Sequence, residues 1–275
     1  MKQILGTKRT PSFSDTLSVA RALGRLPRVR APRTLAAEVL RRVGLADEYW
    51  KLSSPIGTLF VASGPAGISL VRRTDSAAGF AREFRRRHGR AVLPASRPAP
   101  ARLTRAIRSL GRGDTKGLRF DLRSLTEFER AVLGKALEIP RGEVRPYGWI
   151  AREVGKPNAW RATGSALARN PVPLLIPCHR VVRSDGRIGE YALGSRTKHT
   201  LLDREGVPPA RLEALAASGV RYLGNEAKHY FCLPTCGGFA SLVRANRVQF
   251  ASAREALSAG YQPCESCRPA ARAAS

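Results

Sequence analysis

Apolar residues between positions 50 and 72 fall in three short runs, 50–52, 57–62 and 67–72, separated by Ser54-Pro55 and Gly64-Pro65. Short runs bounded by such pairs predict strands joined by turns. Residues 78–88 have helical spacing with a basic end, and the three prolines within 93–101 predict a loop. The period lengthens at Thr126. Thr126 and Glu129 form a capping box, and Phe128, Val132, Leu133, Ala136 and Leu137 make one apolar stripe that ends at Pro140-Arg141-Gly142. A second helix is predicted over 147–154, stopped by Gly155 and Pro157. A third, capped by Asn158, runs to about Arg169. Two short helices around Gly155-Lys156-Pro157-Asn158 have helix-turn-helix spacing. The third helix is small-faced, with Ala159, Ala162, Gly164, Ser165 and Ala166, which suits close approach to another helix or to a nucleic-acid groove beyond which Arg161 would project. Further helices are predicted over 34–43 and 195–205, the latter closed by Gly206. Residues 208–218, rich in alanine and proline, read as a linker.

Charge narrows the partner. The 275 residues carry a formal net charge of +27, more than solubility requires, and this favours a polyanion such as nucleic acid. No apolar run approaches the length of a spanning helix and the N-terminus has no signal-peptide core, so neither a membrane partner nor export is expected. Residues 1–47 are basic and read as a flexible extension.

Candidate chemistry lies in Pro177-Cys178-His179-Arg180, which follows Asn170-Pro171-Val172-Pro173-Leu174-Leu175-Ile176. An apolar segment bracketed by prolines can hold one thiol rigidly beside a base, and a thiolate is a strong nucleophile. Glu205 falls in the last turn of its helix, where a carboxylate opposes the helix dipole. The other four cysteines, Cys232, Cys236, Cys264 and Cys267, form two close pairs whose spacing suits tetrahedral zinc in a reducing, cytoplasmic compartment. A capping box, Ser252 and Glu255, and a stop at Gly260 lie between the pairs.

Residues from about Tyr49 to Val207 resemble the O6-alkylguanine-DNA alkyltransferases. The residues that carry the likeness are Gly142-Glu143-Val144, Tyr147, Arg161, Asn170-Pro171-Val172-Pro173, Ile176 to Val182, Gly189, Tyr191 and Glu205-Gly206. The resemblance implies a monomer that binds double-stranded DNA carrying O6-alkylguanine. The second helix of the helix-turn-helix would lie in the minor groove, with Arg161 filling the stack as the damaged nucleotide rotates out. Ala162, Gly164 and Ser165 would line that approach. Cys178 would take the alkyl group in a single irreversible turnover, with His179 as base, Glu205 as its orienter, Tyr147 as donor to the leaving guanine and Asn170 holding the turn. Backbone groups of Cys178 and Val181 would read the base. No organic cofactor is implied. Ala192 departs from a serine common in the family. The alternatives are a cysteine hydrolase using Cys178, His179 and Glu205, or a non-reactive zinc-containing binder of alkylated DNA.

Residues 220–269 resemble the zinc-binding domain of the adaptive-response protein Ada, through Tyr230-Phe231-Cys232-x-Pro234-x-Cys236 and Tyr261-x-Pro263-Cys264-x-x-Cys267-Arg268-Pro269. Cys232 matches the ligand that accepts methyl from phosphotriesters there. The run Gly237-Gly238-Phe239-Ala240 replaces a basic stretch, so a structural or DNA-docking Zn2+ module is expected slightly ahead of an active phosphotriester acceptor, and no transcriptional regulator is predicted. The predicted fold class is α+β. It comprises an extension (1–47), a small sheet domain (48–122), a winged helix-turn-helix-like catalytic domain (123–207), a linker (208–218) and a small four-cysteine zinc domain (219–270).

Overall fold

The computed structural model describes residues 35–109, 115, 117–237 and 247–270. Most of the expected basic extension, and Gly238-Phe239-Ala240, lie outside these residues. The chain divides into two compact units, residues 1–39 and 40–275. Helix α1 (Leu35–Arg42) lies at the place its apolar spacing predicts.

Strands β1 (Ala46–Ser54), β2 (Gly57–Gly64) and β3 (Gly67–Arg72) form an antiparallel meander, and β4 (Ala91–Pro94) adds to β1 in parallel. Alternation along β2 sorts its side chains. Leu59 and Val61 face the core shared with the later helices, whereas Phe60 and Ala62 pack with Leu70, Phe80 and Phe84 beneath α2 (Ala77–His88). The first strand begins four residues before the run at 50–52 that predicts it. Ala46 and Asp47 belong to it because buried Asp47 accepts from Ser69 Oγ at 2.5 Å and from Arg90 Nε at 2.8 Å. Residues 93–101 are not simply a loop. Pairing with β1 makes Ala91–Pro94 a strand, and Pro100 stands at the N-cap of α3 (Ala101–Arg108), where a missing N–H costs little.

Helix α4 (Glu127–Leu137) has the expected capping box: Thr126 N donates to Glu129 Oε2 at 2.8 Å, and Thr126 Oγ1 accepts from Glu129 N at 3.3 Å. Helices α5 (Tyr147–Glu153) and α6 (Trp160–Ala168) make the corner, with Gly155 in the left-handed region at φ 73°. Asn158 is not the cap. A tight turn, Lys156 N to Ala151 O at 2.9 Å and Ala159 N to Lys156 O at 2.8 Å, moves the N-cap to Ala159. One 3-10 turn, Cys178–Arg180, leads into β6 (Val181–Val182), which pairs in parallel with β5 (Arg145–Pro146). Helix α7 (Ser195–Arg204) follows.

The stretch expected as a linker is helix α8 (Pro209–Ala217). Its order comes from packing: Leu212 is buried with Val144, Val182, Ile188, Leu202 and Val207. Beyond it, β7 (Tyr222–Asn225), β8 (Tyr230–Cys232), β9 (Arg247–Phe250) and β10 (Gln262–Pro263) form a second sheet in the order β10-β8-β7-β9, beside α9 (Ala253–Ser258). Ser252 Oγ caps α9 by accepting from Glu255 N at 3.1 Å. The return bond from Glu255 goes to Ala251 N at 2.7 Å, one residue beyond the capping-box partner. Val220, Leu223, Cys232, Leu233, Cys236 and Cys267 join the same core as Trp149 and Ile150, so this module and the helix-turn-helix share one apolar interior. No described helix is long and apolar enough to cross a membrane.

Candidate active site and metal centre

The loop from Asn170 to Pro177 is fixed at both ends. Val71 N, at the end of the first sheet, donates to Pro171 O at 2.8 Å. Asn170 ties the loop internally: its Oδ1 accepts from Val172 N at 3.0 Å, and its Nδ2 donates to Ile176 O at 3.1 Å and to Cys178 Sγ at 3.1 Å. The thiol is therefore held in place, and Cys178 is only 6% exposed. Burial pushes its pKa up, opposed by the Asn170 hydrogen bond and by the positive charges of Lys198 and Arg72.

His179 and Glu205 meet 26 residues apart, with Nε2 and Oε1 2.9 Å from each other in the interior. A carboxylate accepts only, so Nε2 carries the proton and the Nδ1 lone pair is left available. Nδ1 is buried and has no hydrogen-bond partner among the described residues. Burial lowers the His179 pKa, against the pull of Glu205, and this favours the neutral imidazole that a base requires. Burial alone would raise the Glu205 carboxyl, but hydrogen bonds from His179 and Arg180 outweigh it and hold the pKa at about 2. Arg180 makes a two-pronged contact with Glu205, Nε to Oε2 at 2.7 Å and Nη2 to Oε1 at 2.8 Å. This fork compensates a carboxylate at the wrong end of a helix.

Tyr147 starts α5 and is half-buried. Its pKa is raised by burial and by nearness to Cys178, which keeps the hydroxyl protonated as a donor. It lines an open cleft of about 640 Å³ together with Gly148, Trp160, Arg161, Gly164, Arg183, Ser184 and Asp185. Arg161, Ala162 and Ser165 lie exposed on α6, with Gly164 half-buried beside them. Of the residues expected to contact DNA, Val181 stands apart. It is buried, its N–H donates to Cys178 O, and its carbonyl accepts from Lys198 Nζ at 2.6 Å.

Lys198, Arg180 and Tyr191 were not among the expected site residues. Lys198 is fully buried. Its Nζ donates to Val181 O and Ile188 O, both at 2.6 Å, and lies 3.4 Å from Glu190 O, while burial lowers its pKa to about 8. Its signal was a lysine three and four residues before Leu201 and Leu202 on the apolar stripe of α7. Tyr191 packs edge-on to His179 with ring centroids 6.1 Å apart.

The four C-terminal cysteines converge, their sulfur atoms all within 4.8 Å of one another. A zinc ion with bonds of about 2.3 Å needs sulfurs at about this separation. Cys232 is held as a thiol by hydrogen bonds with Cys236 and Cys267 and by burial, so four thiolates here require a cation to share. The donor set fits zinc.

Parts of the chain are similar to known proteins. Residues 127–207 match the family described as 6-O-methylguanine DNA methyltransferase, DNA binding domain, and residues 213–270 match the metal binding domain of Ada. The methylated-DNA–protein-cysteine methyltransferase of Rattus norvegicus is 45% identical over 106 residues, which cover 38% of this chain and 49% of the rat protein. The bifunctional transcriptional activator/DNA repair enzyme Ada of Escherichia coli is 36% identical over 168 residues, covering 58% of this chain and 46% of that protein. The chain thus spans about half the length of these relatives. A solved Mycobacterium tuberculosis O6-methylguanine methyltransferase aligns over 62% of this chain and 99% of its own, at 30% identity and a TM-score of 0.48.

Proposed function

We propose that this chain, whose residues 127–207 match the 6-O-methylguanine DNA methyltransferase family's DNA binding domain and whose residues 213–270 match the metal binding domain of Ada, repairs duplex DNA by moving an alkyl group from guanine O6 onto Cys178. The observation that carries this reading is the His179 ring, one residue after the Asn170-held Cys178 thiol, with Nε2 on Glu205 and Nδ1 buried without a hydrogen-bond partner among the described residues. Nδ1 takes the thiol proton through a water. The thiolate attacks the alkyl carbon, the S–C bond forms as the C–O6 bond breaks, and Tyr147 donates to the departing guanine. Asn170 keeps Sγ aimed throughout. A thioether carbon–sulfur bond is not broken by side-chain acids or bases, so one chain performs one transfer. The target base must leave the stack to reach so buried a thiol, and Arg161 on the exposed face of α6 is placed to fill the gap. The excess of basic residues supplies affinity for the phosphates.

Zinc-loaded protein incubated with duplex DNA bearing O6-methylguanine will gain one methyl per chain, located on Cys178 by peptide mass spectrometry. Intact protein that binds the duplex and stays unmodified would end this reading in favour of a non-reactive binder. Repeated turnover on an ester substrate would favour the hydrolase.

Trp160 adds a further contact. It is 49% exposed, and the Arg161 guanidinium lies 4.6 Å from its ring centroid. An exposed indole at the start of the DNA-facing helix pre-positions the arginine and offers a surface for sugar or base edges. Trp160→Ala is expected to weaken duplex binding by about 5- to 30-fold, the equivalent of roughly 1–2 kcal/mol. Fluorescence anisotropy would read this, and single-turnover transfer at saturating DNA should change far less.

A further inference from the structure

The C-terminal module meets the helix-turn-helix through its metal-ligand loops. The buried Trp149, on α5, donates Nε1–H to the carbonyl of Cys267 at 2.9 Å. Its ring lies between two guanidinium groups, Arg145 at 5.5 Å and Arg268 at 5.6 Å from the centroid. Arg268 directly follows the ligand Cys267. It pairs with Glu153 at 2.7 Å, and its carbonyl accepts from Arg152 at 2.7 Å. The other ligand loop grips the approach to β5. Thr235 Oγ1 accepts from Val144 N at 2.8 Å, and Gly237 N donates to Glu143 Oε1 at 2.9 Å on either side of Cys236. β5 in turn pairs with β6, which directly follows Cys178-His179-Arg180.

We propose that the zinc module is a brace: metal binding closes the two ligand loops that hold α5 and β5, so zinc occupancy and the order of the helix-turn-helix are coupled. Helix α5 has seven residues, too few to persist without tertiary support. Part of that support is the bond from Trp149 to the Cys267 carbonyl, and that carbonyl belongs to a loop that closes around the four converging sulfurs. Without zinc the loop opens and a buried indole N–H loses its acceptor. Tyr147, at the start of α5, and the turn leading to α6 then lose their footing.

The same docking turns the sulfur cluster inward. Cys232 is 0% exposed and paired in register with Leu223 inside the sheet, and of the four ligands Cys264 alone is partly exposed. The module therefore offers DNA no accessible thiolate at the position that accepts methyl in its relatives, and Cys232 acts as a permanent ligand.

The brace rests on zinc binding but not on alkyl transfer, and the test of the brace reads neither activity nor DNA. Coupling is reciprocal: whatever the metal does for α5, α5 does for the metal. In the full chain, Trp149→Phe keeps the ring and removes the donor. Zinc affinity, measured by competition with a chromophoric chelator, should weaken about fivefold, the equivalent of about one buried hydrogen bond. Hydrogen exchange in residues 145–154 should quicken by about the same factor or more when wild-type protein is stripped of zinc, while residues 57–72 stay protected. Thr235→Val, which disturbs no buried ring, is the second variant if Trp149→Phe fails to fold, and it too should weaken zinc binding. Wild-type zinc affinity in the folded variant would overturn the brace, as would unchanged exchange in 145–154 on zinc removal. Methyl on Cys232 of the folded, zinc-loaded protein after exposure to a methyl-phosphotriester duplex would overturn its assignment as a permanent ligand.

Discussion

Glu205→Ala is expected to slow methyl transfer from O6-methylguanine duplex by about 10²- to 10⁴-fold, the range in which a positioned base acts, and to destabilise the fold by about 3–5 kcal/mol, the usual cost of removing one partner from a buried ion pair. Both effects come from one carboxylate with two duties. Its Oε1 fixes the His179 ring through Nε2, and both oxygens accept from the fork of Arg180. Truncation leaves a largely buried guanidinium without its anion and an imidazole free to change tautomer. Glu205→Gln separates the duties. It keeps an oxygen for one contact, so it should recover part of the stability while leaving transfer slow. Single-turnover kinetics and thermal melting read the two losses. Duplex affinity should be nearly unchanged, because Glu205 is buried and bonded to His179 and Arg180, not to the exposed residues of α6. Unimpaired transfer in a folded Glu205→Ala protein would remove His179 from the mechanism.

The acid limb of stability tests the same cluster. The Glu205 pKa falls from an ordinary 4.5 to about 2 in the fold. The unfolded chain binds more protons between those values, so this contribution is complete above about pH 4.5 and is lost as pH falls toward 2. His179 acts in the same direction. Its pKa is lowered from 6.5 by burial, so stability declines as pH drops below that value and the buried ring is forced to charge. The gap between wild type and Glu205→Gln should narrow as pH falls from 4.5 toward 2, read by urea melts at each pH.

What could be read from the sequence was local. Thr126 and Glu129 recognise each other three residues apart, and the run from Asn170 to Arg180 carries its own proline brackets, so both were visible without a tertiary structure. The two C-terminal cysteine pairs were visible for the same reason, since a metal imposes its own spacing. What escaped depended on partners distant in sequence. Residues 91–94 become a strand only because β1 lies beside them, and Pro98 and Pro100 disguised both that strand and α3. The stretch 208–218 resembled a linker because its alanines carry little signal, and it is helical because Leu212 finds a core made by Val144, Val182 and Leu202. The union of the zinc module with α5 was invisible, since nothing in the spacing of Trp149 announces that its indole will meet the carbonyl of Cys267.

Lys198 was hidden by its type, and its replacement should have the second large effect. A lysine on an apolar stripe is costly unless its ammonium is satisfied, and here two carbonyls accept from it at 2.6 Å, from Val181 and Ile188. It thereby stitches the loop after Cys178 to α7. Lys198→Met preserves much of the stem's volume and leaves those buried carbonyls without their donor, at about 1–3 kcal/mol each. Opposing this is relief from burying a charge, visible in a pKa lowered from 10.5 to about 8. The hydrogen bonds should win at neutral pH, because the ammonium remains charged there despite its burial, so a net loss of about 2–4 kcal/mol is expected. The pH dependence identifies the cause. Between about 8 and 10.5 the unfolded chain holds the proton that the folded lysine has released, so wild-type stability should gain a rising component with pH across that window, and the methionine variant should lack it. The variant should also weaken thiolate formation, since Lys198 is one of the positive charges that favour ionised Cys178. Urea melts from about pH 7 to 10.5 measure the first effect, and the pH dependence of Cys178 alkylation by a small reagent measures the second. A Lys198→Met protein as stable as wild type at neutral pH, with the same slope in alkaline solution, would show that the carbonyls find other donors and that the lysine does not hold the loop.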